Sequence, residues 1–185
     1  MIEILFCGRG GQGAVTASEM LASAAFHEGK YSHAFPYFQA ERKGAPVTAY
    51  ARISNSPIIV RAPIDKADIV MLLDAALLKT VNPLRSLKPD GLAIVNTGRP
   101  PGEIMEFSEN KKIRISTIDA TTLSQKVYGQ SSIPRVNVAM LGHFAGCTRL
   151  IRVESVLASI GEYFIGENAV KAKESVELAY NECKQ

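Results

Sequence analysis

The sequence predicts an α/β chain built on an open, mostly parallel sheet, and three observations carry that prediction. A glycine-rich turn, Gly8-Arg9-Gly10-Gly11-Gln12-Gly13, joins an apolar run at residues 2–7 to a helix-patterned stretch at residues 14–26. Continuous apolar runs at residues 67–73 and 92–95 close on Asp74 and Asn96, as parallel strands covered on both faces do, and a third run at residues 113–118 closes on Asp119. Helical spacing intervenes between runs and fills the C-terminal tail, and strands alternating with helices imply a parallel sheet. The arrangement is Rossmann-like, with an inserted β-hairpin and a helical C-terminal tail, in one domain spanning residues 1–185.

The first strand, turn and helix form the most informative unit. Glycine accepts positive φ and lets another group approach closely, while the helix behind it presents unpaired N–H groups and partial positive charge. Gly8, Arg9, Gly10, Gly11, Gln12 and Gly13 are therefore candidate anion-binding residues. Neither nucleotide signature is complete. A dinucleotide site expects an acidic residue roughly 20 positions beyond the turn, where this chain has His33, and Glu41 comes late. A triphosphate loop needs a lysine where Ala14 and Val15 stand. The alternative is that the glycines only let strand and helix pack closely.

Residues 33–38 are an aromatic run broken by Pro36, which removes a backbone donor and places the run at an edge or surface. Residues 47–53 alternate, and after Asn55-Ser56-Pro57 a second short run follows at residues 58–60, so the two read as a hairpin with one face buried. Leu77, Leu78, Val81 and Leu84 predict a helix over residues 75–87, stopped by Lys88-Pro89-Asp90-Gly91. Another helix is expected at residues 121–128. The tail holds three more, at residues 138–150, 154–164 and 169–183, with Gly142 and Gly146 four apart so that a neighbouring helix can approach.

Composition narrows the function classes. Hydrophobic residues make up 46% and charged residues 21%, ordinary for a globular chain. A net charge of +3, without basic runs or a basic face interleaved with aromatics, argues against nucleic acid. No apolar stretch suits a membrane span and the start lacks a signal-peptide pattern, so a cytoplasmic location is expected. Cys7, Cys147 and Cys183 have no C-x-x-C spacing and are expected to be buried, small, apolar residues; His27, His33 and His143 show no metal spacing, and no metal site is predicted. Asp74, Asn96 and Asp119 stand where open sheets bind ligands, although capping of the next helix or turn is the simpler explanation of such residues. No catalytic set is recognisable in the chain alone.

The segment Ala40-Glu41-Arg42-Lys43-Gly44-Ala45-Pro46-Val47 sets three charges beside a Gly-Ala-Pro turn, an unusual surface for a monomer. With the glycine turn, Phe35-Pro36-Tyr37 and Ala51-Arg52-Ile53-Ser54, it resembles the gamma subunit of 2-oxoacid:ferredoxin oxidoreductases over nearly the whole chain. Glu-Arg-Lys-Gly-Ala-Pro is more similar to the pyruvate branch than to the 2-oxoglutarate branch, which tends toward Arg-Gly-Gly.

The resemblance implies a subunit of a cytoplasmic enzyme of anaerobic metabolism that converts pyruvate, coenzyme A and oxidised ferredoxin into acetyl-CoA, carbon dioxide and reduced ferredoxin. It implies no cofactor within this chain: thiamine diphosphate, Mg2+ and iron–sulfur clusters belong to the alpha, beta and delta partners, and CoA is a cosubstrate of the complex. Residues 8–13 then either meet an anionic group of CoA or pack against a partner. Phe35, Tyr37, Glu41, Arg42, Lys43, Gly44 and Pro46 become candidates for the subunit interface or the CoA entry route. The competing readings are a self-sufficient nucleotide-binding oxidoreductase and a stand-alone anion-binding protein, both using the glycine turn.

Overall fold

The computed structural model describes residues 1–37 and 46–183. Six strands, β1 (Ile2–Arg9), β2 (Tyr31–Tyr37), β3 (Pro46–Ser54), β4 (Ala67–Leu72), β5 (Leu87–Asn96) and β6 (Arg114–Ile118), form one sheet in the order β2-β3-β1-β4-β5-β6. The run β1-β4-β5-β6 is parallel, whereas β3 lies antiparallel to both β1 and β2. The predicted open, mostly parallel α/β sheet is observed.

Successive side chains of a strand point to opposite faces, and here both faces are dry. Ile4 and Phe6 of β1 join Met71 and Ile94 in one apolar cluster, while Leu5 and Cys7 join Val70, Leu72 and Val95 in the other. The continuous apolar runs of the sequence have this physical origin.

On the first face lie α1 (Ala14–His27), α3 (Ala120–Tyr128) and α4 (Val136–Thr148), with α5 (Val153–Tyr163) and α6 (Gly166–Cys183) packed outside them. Every residue from Val136 to Ala145 of α4 is buried, as suits a helix apolar on all sides and held between the sheet and α6. Gly142 and Gly146 make that contact possible. A Cβ at Gly142 would run into the Val176 carbonyl, and one at Gly146 would lie 2.8 Å from Cys183 Cβ. The second face carries lighter cover, from two 3-10 turns (Ala75–Lys79 and Pro83–Ser86) and the short α2 (Pro101–Met105).

Four sequence expectations are corrected. Strand β3 pairs with the upstream aromatic run, now β2, and residues 58–60 form no strand. That segment is instead gripped by Arg52, whose Nη1 and Nη2 donate to the Val60 and Ala62 carbonyls at 3.1 and 2.7 Å. Strand β3 is also buried on both faces from Ala49 to Ser54, because α1 covers one side and the aromatics of β2 reach across the other. The helix predicted over residues 75–87 is two 3-10 turns, because Asn82 takes a φ of +41° before Pro83 and breaks the ladder. Finally, Lys88 to Gly91 do not end an element but bulge within β5, where pairing jumps from Ala67–Leu87 to Ile69–Leu92. The edge position expected for the Pro36 run is observed.

Candidate functional site

The chain leaves β1 toward β2 and β3 on one side of the sheet, and leaves β4 toward β5 and β6 on the other. The carboxyl ends of β1 and β4 therefore flank a topological switch point, where open α/β sheets bind ligands. The glycine turn and Asp74 stand there.

The turn closes on itself: the Arg9 N–H donates to Gln12 Oε1 at 2.7 Å, and the Gln12 N–H donates to the Arg9 carbonyl at 3.1 Å. Gly11 and Gly13 have φ of +89° and +79°, which favours glycine. Each also faces a near neighbour, since a Cβ would lie 3.2 Å from Ile133 Cδ1 at Gly11 and 2.6 Å from Asn137 Nδ2 at Gly13. Gly10 faces open space. Packing against the start of α4 thus explains two of the glycines and leaves Gly10 as the open approach. Helix α1 begins without a side-chain cap and without an acidic residue in its first turn, so its positive end is uncompensated by its own sequence.

Arg9 Nε donates to Asp74 Oδ2 at 2.7 Å, and the other carboxylate oxygen accepts from the Ala76 N–H at 2.9 Å, capping the 3-10 turn. Arg9 keeps 43% of its side chain exposed, with no further ion pair among the described residues. The other two strand-end residues are structural. Asn96 donates to the Leu73 carbonyl at 2.9 Å and to Thr121 Oγ1 at 3.1 Å, tying β4 to α3. Asp119 caps α3, accepting from the Thr122 N–H and hydroxyl at 2.9 and 2.7 Å.

Strand register joins the turn to the aromatic edge. Pro46, at the head of β3, sits opposite Arg9, and Tyr37, at the end of β2, sits opposite Thr48. Glu41, Arg42, Lys43 and Gly44 lie outside the described residues. His33, Phe35 and Tyr37 share one face of β2; ring centroids are 5.0 Å apart for His33–Phe35, 5.1 Å for Phe35–Tyr50 and 5.8 Å for Tyr37–Tyr50. Burial, then the charges of Arg61 and Arg52, hold His33 below the usual imidazole pKa, so this ring is uncharged near neutrality. Tyr37 is 39% exposed.

A dinucleotide site is disfavoured by the same register. The ribose carboxylate of such sites sits at the end of a strand adjacent to β1, but β3 separates β1 from β2 here. The end of β2 is displaced by one extra strand spacing, to about 10 Å from β1. Sequence reasoning missed the Arg9–Asp74 pair and the buried Arg52; the signal for the first is that both residues end apolar strand runs.

A family model described as pyruvate ferredoxin/flavodoxin oxidoreductase matches residues 3–182. The chain is 47% identical over 181 residues to the pyruvate/ketoisovalerate oxidoreductases common subunit gamma of Pyrococcus abyssi, covering 96% of each chain. To the pyruvate synthase subunit PorC of Methanothermobacter marburgensis it is 47% identical over 184 residues, covering 100% of this chain and 98% of that one. The crystal structure of the pyruvate oxidoreductase subunit PORC of Thermotoga maritima superposes with a TM-score of 0.82 at 31% identity, over 97% of this chain and 95% of that one. A 2-oxoglutarate:ferredoxin oxidoreductase chain of Magnetococcus marinus shares the fold, with a TM-score of 0.77 at 18% identity, over 99% of this chain but 31% of that one. No helix among the described residues is long and apolar enough to cross a membrane.

Proposed function

We propose, because the chain belongs to the pyruvate ferredoxin/flavodoxin oxidoreductase family, that it is the gamma subunit of a multi-subunit 2-oxoacid:ferredoxin oxidoreductase acting on pyruvate. The reaction of the complex is pyruvate, CoA and oxidised ferredoxin to acetyl-CoA, carbon dioxide and reduced ferredoxin. Its alpha, beta and delta partners carry thiamine diphosphate, Mg2+ and the iron–sulfur clusters. The residues present do not fit those groups: Asp74, Asn96 and Asp119 are each committed to the protein's own hydrogen bonds, and three cysteines cannot ligate a four-thiolate cluster.

One juxtaposition carries the proposal for this chain's own part. Arg9, with Gly10 open beside it, stands opposite Pro46 at the head of β3, and Tyr37 of the half-buried aromatic edge stands opposite Thr48 two residues along the same strand. A guanidinium at an uncapped helix start suits a phosphate. In this proposal the aromatic edge with Glu41, Arg42, Lys43, Gly44 and Pro46 receives a partner subunit, and Arg9 meets an anionic group of CoA where the two surfaces join.

The test is titration of the purified complex with CoA, wild type against Arg9→Ala. Loss of a charge-assisted hydrogen bond should weaken binding about tenfold. Unchanged affinity removes the CoA role and leaves the turn to packing alone. Turnover of pyruvate by the isolated chain would overturn the subunit assignment itself.

A further inference from the structure

A second cluster of reactive side chains lies away from the crevice, where α4 packs on α6 over the start of β6. His143 and Cys147 are one turn apart on α4, and Cys183 reaches them from α6 across the Gly146 contact. Their ligand atoms all fall within 4.8 Å of one another. Ser116 Oγ of β6 stands among them, 2.8 Å from His143 Nε2 and 3.2 Å from Cys147 Sγ. Cys147 and Cys183 are half-buried rather than fully buried, and each is the other's neighbour, unlike the isolated, buried Cys7.

Hydrocarbon packing does not account for this grouping. His143 is an imidazole, 4% exposed, in a helix whose other buried residues are apolar apart from Asn137, and its Nδ1 lies beside the Ala179 carbonyl without a well-formed hydrogen bond. A buried polar atom left in that state needs an explanation. Ligating histidines commonly aim the nitrogen that does not bind at a backbone carbonyl, which fixes the tautomer and leaves the other nitrogen's lone pair for the ion. In His143 the other nitrogen, Nε2, meets Ser116 Oγ at 2.8 Å, and that hydroxyl in turn meets Cys147 Sγ at 3.2 Å.

We propose that His143 Nε2, Cys147 Sγ and Cys183 Sγ bind a d10 cation of the zinc class, with the Ser116 hydroxyl or a water completing a tetrahedron. The charges balance. Two thiols release their protons to solvent, and two thiolates with a neutral imidazole cancel a divalent cation, so the filled site carries no net charge into the packed interface. The fit needs little movement. Bonds of about 2.3 Å to sulfur and about 2.0 Å to nitrogen make tetrahedral edges of about 3.5–3.8 Å, so the widest pair closes by roughly 1 Å. The role is structural: the ion pins the end of α6 to α4 and β6. It is independent of the CoA proposal.

The full-length chain, stripped with chelator under thiol reductant, is titrated anaerobically with Co2+ and then with Zn2+. One equivalent of Co2+ should give the intense visible bands of a tetrahedral site and a near-ultraviolet thiolate charge-transfer band, both abolished by Zn2+, and Zn2+ should raise the unfolding temperature. Cys183→Ser and Cys147→Ser should each reduce the charge-transfer band and weaken binding by more than about tenfold, a loss that even an outer-shell change produces. Cys7→Ser should leave the spectrum unchanged, and circular dichroism checks that each variant is folded. Absence of a Co2+ spectrum in the wild type overturns the proposal, as does a spectrum indifferent to folded Cys147, Cys183 and His143 variants. Formation of a Cys147–Cys183 disulfide in place of metal uptake under reductant also overturns it.

Discussion

Arg52 shows how one side chain shapes this molecule. Its side chain is 2% exposed, and it reaches Glu3 Oε1 at 3.1 Å, two carbonyls beyond β3, and the face of Phe35 at 5.4 Å. Removing one member of a buried pair leaves the others unsatisfied, at about 3–5 kcal/mol. Because Glu3 keeps Lys88 at 3.1 Å, Arg52→Ala should lose about 3 kcal/mol, the low end of that range. Arg52→Lys should not restore it, since one ammonium lacks the planar fork that spans these acceptors. Denaturant unfolding measures both variants, and a loss below about 1 kcal/mol, the ceiling for a surface pair, would reduce Arg52 to surface status. At this scale the sequence was partly readable. Arg52 stood out as part of a short motif, but its burial did not, because an arginine on an alternating strand reads as solvent-facing. Asp119 was readable as a cap. The pairing of Arg9 with Asp74 needs two strands brought together from 65 positions apart, which no local pattern encodes.

At the scale of elements, glycine placement decides how helices meet. Ala is favoured over Gly inside a helix by about 0.8–1.0 kcal/mol, so Gly→Ala has opposite outcomes at two positions. In α4, a methyl at Gly142 meets the backbone carbonyl of Val176, which cannot rotate aside, and overpacking of about 1–3 kcal/mol should exceed the propensity gain. Gly161 in α5 has nothing within 4 Å, and Gly161→Ala should stabilise by up to about 1 kcal/mol. Thermal unfolding of both variants checks the pair; a stabilised Gly142→Ala would show that α6 yields. The four-residue glycine spacing made this contact readable in advance. The covered parallel strands were readable too, as unbroken apolar runs. The partner of β3 was not, because alternation reports that a strand has faces but not which neighbour it joins. Neither were the 3-10 turns: leucine spacing alone does not reveal that Asn82 ahead of Pro83 interrupts the hydrogen-bond ladder.

For the whole molecule, the uneven cover of the sheet supports the docking face proposed above. One face lies under two layers of helices, while beyond β1 the other carries a half-buried aromatic row and the exposed Ile59. Aromatic residues beside a polar rim are favoured at protein interfaces. Tyr37→Glu places a charge in that row without disturbing the main core, so the isolated chain should keep its stability while its recovery with partner subunits falls severalfold. Co-purification from cells expressing the whole complex decides it, and full recovery would place docking elsewhere. The general architecture followed from the order of strand and helix patterns. The surface proposed for docking was visible only as motifs without positions, until register set Pro46 against Arg9.

That register also governs how the chain is made. Strand β1 is synthesised first yet ends in the middle of the sheet, and the backbone of Glu3 waits for Asp68, 65 residues downstream. Until then the edge of β1 that β4 will take stays open, since β3, made earlier, pairs only with the opposite edge, and an open edge is the condition under which nascent chains stick to one another. The glycine turn and α1 shield one side as they emerge, but neither offers a ladder. Closure of the sheet is therefore completed late, when β4 reaches the second edge of β1, and chaperone dependence during translation should concentrate on the interval before β4 leaves the ribosome.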